Sequence, residues 1–276
     1  MRILPQSGLR NPCKNFDILP AMAERENSAF RLYRFIQRMV PQPENLPTNQ
    51  VLLNAFGIEK GGDAHQQNAT VAKVLGLLFT ELELLVSELK RHEYTDETIR
   101  PITAPFDTLS AGGLANPWQR VKSVFAASLL SLRPIAETPN LLTDDGVVIS
   151  KDELAELSKD IEALRQEVQT SGLPASVKEF ILHQLNIITG AIRDYPLSGV
   201  KAFKQAAKDA IFLELEHSDI VTQYSEKPQM TRLRAIQAKV VKASKFSIEF
   251  AKFLSAMDTI SHHGGALLGW AQHLLK

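Results

Sequence analysis

Residues 173–217 read LPASVKEFILHQLNIITGAIRDYPLSGVKAFKQAAKDAIFLELEH. Val177, Ile181, Leu185, Ile188 and Ile192 recur at steps of four and three, which puts them on one face of a 3.6-residue helix. Asp194 to Gly199 interrupts the pattern. Pro196 has no N–H to donate and biases Tyr195 away from helical angles, so the first helix is expected to end here. A second stripe follows with Val200, Phe203, Ala207 and Ile211. Two apolar stripes joined by so short a link are buried by folding back on each other and onto a further element. The expected fold is therefore all-α, a bundle of about eight helices around a central hairpin.

Working outward, Ser150-Lys151-Asp152-Glu153 matches a capping box. The helix it opens carries Leu154, Leu157, Ile161, Leu164 and Val168, and Ser171-Gly172 closes it. On the other side the chain loosens at Lys227-Pro228. A long helix is expected from about Met230 to Ser261, with Ile236, Val240, Ala243, Phe250, Leu254 and Met257 as its stripe. His262-His263-Gly264-Gly265 ends it, and a short apolar tail, 266–275, follows.

Toward the N-terminus the most regular segment is about Ala64 to His92. Val71, Leu75, Leu78, Leu82, Leu85 and Leu89 form a heptad seam. Leu77, Phe79, Leu84 and Val86 widen it, so burial on more than one side is expected. Asn116-Pro117 reads as N-cap and first helical residue of a helix carrying Val121, Phe125, Ser128 and Leu132 and stopped by Pro134. Between these two helices Pro101, Pro105, Gly112 and Gly113 punctuate a stretch with no clear pattern. A helix over about 22–40, with Phe30, Tyr33 and Ile36 or Gln37 on its stripe, ends at Pro41. Thr48 is expected to cap a short helix through Phe56, with Gly57 as its left-handed terminator. The organisation expected is an extended arm at 1–20, a helical part at 21–134, a linker at 135–149 and a C-terminal bundle at 150–276. A turn is expected at Asp144-Asp145-Gly146, and no sheet is assigned to Val147-Val148-Ile149.

The chain has 276 residues, is 44% hydrophobic, and carries 31 basic and 31 acidic side chains. Zero net charge argues against bulk capture of nucleic acid. Cys13 is the only cysteine, so no intramolecular disulfide forms, which fits a reducing, cytoplasmic setting. Residues 1–8 lack the apolar core of a signal peptide, and no window reaches the roughly 20 apolar residues of a membrane span.

Catalytic and metal motifs are wanting. Glu179 and His183 share a helix face, but Ile187 stands where a zinc-protease motif needs its second histidine. Their default reading is a solvated ion pair. Likewise, His262-His263 is best read as a helix-end pair near the negative end of the dipole. The glycine pairs at 61–62 and 112–113 have neither the Lys-Ser or Lys-Thr of a P-loop nor a preceding strand, and read as loop punctuation. Cys13 has no histidine nearby, and no G-x-S-x-G occurs. No cofactor, metal ligand or catalytic residue is assigned, and the reading leans away from an enzyme.

Charge is distributed unevenly. Residues 137–170 hold nine acids against three bases, and residues 225–276 hold eight bases against three acids. Lys242, Lys245 and Lys252 share a face with Phe246 nearby, and Trp270 lies in the tail. These five residues are the candidate interaction surface, with the acidic helix 151–170 as its counterpart. The simplest account of the basic helix is that it docks on its own bundle beside that acidic helix. The central hairpin, through Phe180-Ile181, Ile192-Arg193-Asp194-Tyr195 and Gly199 to Ile211, resembles a segment of uncharacterised helical bacterial proteins. Some of those are similar to components of mobile-element or phage-defence loci. The resemblance implies that context and assigns no residue a role.

The function expected is a non-enzymatic interaction protein that binds a protein partner or itself through helix faces, with no nucleic acid. One alternative is a membrane-active effector whose basic helix and Trp270 tail make peripheral contact with lipid. The other is a helical hydrolase whose acids converge from several helices.

Overall fold

The computed structural model describes residues 27–58, 63–110, 112–143 and 148–243. Among these residues the protein is all-helical, with ten α-helices and no strand. They are α1 (Ser28–Met39), α2 (Thr48–Phe56), α3 (Ala64–Arg91), α4 (Asp96–Asp107) and α5 (Lys122–Glu137), then α6 (Lys151–Thr170), α7 (Ala175–Ser198), α8 (Val200–Glu216), α9 (Ser218–Gln223) and α10 (Pro228–Ala243). The expected arm at 1–20, the turn at 144–146, Gly61-Gly62, Cys13, His262-His263 and the continuation of α10 toward Ser261 lie outside the described residues.

Buried side chains sort into two cores. α1 to α5 enclose the first, around Phe35, Leu52, Leu78, Phe106, Trp118 and Phe125. α6 to α8 and α10 enclose the second, around Leu164, Ile181, Leu185, Phe203, Ile211 and Leu233. In the second core α7 packs against α6, α8 and α10, and α10 also packs against α6 and α8. Each buried leucine or isoleucine in such a core stabilises it by about 1.5–3 kcal/mol. Leu197 of α7 crosses over and is buried in the first core, and α7 packs against α1 and α3.

The hairpin folds back as its stripes require, but its corner is later than the proline suggests. α7 runs through Pro196 to Ser198, and the chain turns at Gly199, φ 55° and ψ −148°. Proline costs a helix most in its interior, where a hydrogen bond is lost and the ring meets the preceding turn. In the last turn of α7 that cost is outweighed by burying Tyr195 and Leu197 and by the Gly199 N–H, which donates to Tyr195 O at 2.8 Å. Pro134 behaves alike. α5 continues past it to Glu137 and buries Ile135 and Ala136, and the Thr138 N–H and hydroxyl both donate to Pro134 O.

The stretch read as patternless between α3 and α5 contains α4, with Pro101 and Pro105 inside it. Ile99, Ile102, Pro105 and Phe106 are its buried residues at helical spacing, whereas Glu97 and Pro101 are exposed. The carbonyl that Pro101 leaves without an N–H partner thus lies on the watered side, where solvation makes the loss small. α9 is the other helix beyond those expected.

Several caps differ from expectation. Pro47, not Thr48, occupies the N-cap of α2, and the Thr48 hydroxyl donates to Asn116 O at 3.0 Å. Asn116 does not cap α5: Pro117 precedes a 3-10 turn at Trp118–Arg120, and α5 starts only at Lys122. Gly57 is left-handed, φ 79°, as expected. The capping box of α6 is complete, with Ser150 Oγ accepting from Glu153 N at 3.2 Å and Glu153 Oε2 accepting from Ser150 N at 2.8 Å. The Ser150 N–H, with the Ser150 hydroxyl that also donates to Glu153 Oε2 at 2.8 Å, holds the Glu153 carboxyl below its usual range.

α3 buries its seam and part of its flanks. Val71, Val74, Leu78, Leu82, Leu85 and Leu89 face the core, while Phe79 and Leu84 are 38% and 37% exposed. The second burial expected for this helix is partial: Leu77 and Val86 are half-buried, Phe79 meets the Phe106 ring of α4 at 6.4 Å, and Leu84 lies on an outward apolar edge.

Candidate functional site

That outward edge of α3 meets the α7–α8 corner across an open groove of roughly 550 Å³. Leu77 and Leu84 of α3, Ile187 and Ala191 of α7, and Ala202 and Ala206 of α8 supply its apolar lining. Lys73, Arg193, Asp194, Lys201 and Asp209 supply charge around it. The three bases each meet a carboxylate, and Asp209 Oδ1 accepts from Gln205 Nε2 at 2.8 Å. Lys73 Nζ lies 2.8 Å from Asp194 Oδ2, and Arg193 Nε donates to Asp194 Oδ1 at 3.1 Å. Lys201 Nζ lies 3.8 Å from Glu81 Oε1.

Glu81 holds this side of the groove to the first core. Its side chain is 2% exposed, and its Oε2 accepts from Arg31 Nε at 3.0 Å and from Arg31 Nη2 at 2.7 Å. Arg31 is 1% exposed. A Cβ placed on Gly199 would stand 2.8 Å from Arg31 Nη1. Glycine is thus required at the corner twice over, by its backbone angles and by the guanidinium packed against it. α1, α3 and the hairpin corner meet at this one buried ion pair. A buried pair of this kind is weak evidence for net stability but strong evidence for a specified geometry at the joint.

A second polar cluster lies in the C-terminal core, formed by Gln184, Glu214 and Gln237, all buried. Sequence reading missed Arg31, Glu81 and this trio for one reason: each occupies a stripe position of its helix. Arg31 stands among Phe30, Leu32 and Phe35, Glu81 between Leu78 and Leu82, and Gln184 between Ile181 and Leu185. A polar residue on a core-facing stripe was the available signal.

The residues singled out earlier are dispersed. Glu179 and His183 are exposed on α7. His217 presents its ring to Phe180 edge-on, with centroids 5.6 Å apart. Gly113 sits in a turn after α4, where an added Cβ would come within 2.1 Å of Thr108 O, so the glycine serves the loop. Among the described residues no group of three or more His, Cys, Asp or Glu side chains is placed to hold a metal ion. No described helix is long and apolar enough to cross a membrane.

Of the candidate interaction surface, Lys245, Lys252, Phe246 and Trp270 lie outside the described residues. Lys242 is exposed and lines a cleft of roughly 460 Å³ with Glu153, Glu156 and Lys239. Here the basic and acidic helices lie against each other. Lys239 Nζ donates to Glu156 Oε1 at 2.6 Å and to Asp160 Oδ2 at 2.7 Å, and Arg232 pairs with Glu167. The bonds from Asp160 and Glu156 hold the Lys239 ammonium above its usual range. Part of the charge contrast between 137–170 and 225–276 is therefore spent inside the molecule. Comparisons with protein-family models, with curated proteins and with solved structures return no match.

Proposed function

We propose that the chain is a non-enzymatic interaction protein that seats a helical segment of a protein partner in the groove between α3 and the α7–α8 corner. One observation carries this reading: an apolar strip of α3, with Leu84 37% exposed, runs beside the half-buried Ile187 and Ala202 in an open cleft whose rim charges are already paired. Apolar area of this kind gains from being covered, while paired rim charges add register more than attraction. An amphipathic helix laid along the cleft is the element whose shape and apolar face suit it. Glu81 fits this role, since Arg31 of α1 holds it in place while Lys201 of α8 approaches it from the other wall.

Photo-crosslinking from the groove tests the reading. A photoreactive side chain at Leu84 or Ile187 is expected to trap one protein, and the same group at Leu130, 80% exposed on α5, is expected to trap none. Leu84→Glu introduced beside the Ile187 probe should abolish the crosslink. Equal capture from Leu130, or a crosslink indifferent to Leu84→Glu, would remove the groove from the account. Light scattering of the pure chain tells whether the trapped protein is a second copy.

A further inference from the structure

The polar cluster of the C-terminal core holds a buried acid whose partner is a neutral amide. Gln184 Nε2 donates to Ala210 O at 2.8 Å. Gln237 Nε2 donates to Glu214 Oε1 at 2.8 Å and to Gln184 Oε1 at 3.3 Å. Gln237 Oε1 is buried and has no donor at all. An ionised Glu214 would place a charge that is 6% exposed beside a neutral amide; a neutral carboxyl still accepts the Gln237 N–H without burying a charge. The seam beside it is built of small side chains. Ala206, Ala207 and Ala210 of α8 face Val240 and Val241 of α10 across a void of only about 10 Å³, at the lower limit for a single water.

We propose that Glu214 is the proton-binding latch of the C-terminal bundle: neutral, it closes the seam between α8 and α10 through Gln237; ionised, it loosens that seam. Unlike the groove, the latch requires no assumption about a partner. Burial pushes the Glu214 carboxyl up to about 7; the hydrogen bond from Gln237 and the positive charge of Arg234 oppose this without cancelling it. The elements packed on α8 offer little other charge. α10 presents Arg234 and Gln237, and α7 presents the neutral Gln184. Asp219 of α9 and Glu216 at the end of α8 are exposed, and His217 is turned onto Phe180.

The sign follows from linkage. A carboxyl whose value is raised by folding binds its proton more tightly in the folded chain. Its contribution is fully present below the unfolded value of 4.5 and is lost as pH rises through about 7. The test uses the full chain and Glu214→Gln, an uncharged isostere that keeps a donor. In the natural chain the Glu214 carboxyl carbon, followed by NMR, should titrate near 7. Exchange of α8 and α10 amides, corrected for its intrinsic pH dependence, should rise by about tenfold or more on crossing that pH, while α1 and α3 amides hold steady. Glu214→Gln should keep the α8 and α10 amides equally protected across the range. If that variant does not fold, the titration and exchange of the natural chain decide. A midpoint in the ordinary carboxylate range, unchanged α8–α10 exchange, or a Glu214→Gln profile that tracks the natural chain would overturn the latch.

Discussion

The two cores of this protein bury polar groups in contrasting ways. At the edge of the first, Arg31 and Glu81 are a charged pair in which two guanidinium N–H groups meet one carboxylate oxygen, and Lys201 approaches the other. In the second, a buried acid has neutral amides for neighbours. The first arrangement satisfies its charge by complementarity, so removing either partner strands the other in a low-dielectric site. The second is satisfied only by choosing a protonation state. Burial of charge fixes geometry in one place and makes stability depend on solvent conditions in the other.

The contrast can be broken at the pair itself, where the largest effect is expected. Arg31→Met should destabilise the fold by about 3–5 kcal/mol in denaturant unfolding, because Glu81 is left buried without its guanidinium and with only Lys201, 3.8 Å from its other oxygen, beside it. Adding Glu81→Leu should recover most of that loss. A double variant as unstable as the single one would mean that packing, not charge pairing, governs the joint. Gly199→Ala comes next. It forces a side chain onto a glycine-favouring backbone and against Arg31, and should cost about 1–3 kcal/mol; a neutral result would show that the corner relaxes freely. Ser150→Ala removes one half of the α6 capping box and should cost about 0.5–2 kcal/mol. Amide exchange at the start of α6 reads whether that loss stays local. The smallest effect is expected for Lys239→Gln. Its ion pairs with Glu156 and Asp160 are solvated, so any difference in melting temperature should appear at low salt and fade as salt is added.

The elements legible in the sequence were those whose apolar spacing was long and uninterrupted. α3, α6, α7 and α8 start and stop close to where their stripes and caps place them, because three- and four-residue spacing of large aliphatic side chains leaves few other ways to bury them. Proline was the recurrent misdirection. At Pro134 and Pro196 the helix continues because the proline falls in its last turns, and in α4 it continues because the orphaned carbonyl faces water. The groove was not legible, since it depends on which side of α3 the hairpin corner covers. Leu84 reads as core from spacing alone, but the hairpin corner leaves it 37% exposed, and Phe79, on another side of α3, is 38% exposed against the Phe106 ring of α4.

The sequence by itself determined that this chain is helical, where its strongest caps lie, and that an acidic and a basic segment exist to attract each other. These are local properties, set by periodicity and by side chains within four residues of one another. The tertiary structure alone decided which polar stripe residues meet. Arg31 and Glu81 are 50 residues apart in the chain, and Gln184 and Gln237 are 53 apart. A buried charge or amide is tolerated only when the packing of distant helices brings it a partner, and stripe periodicity does not carry that information.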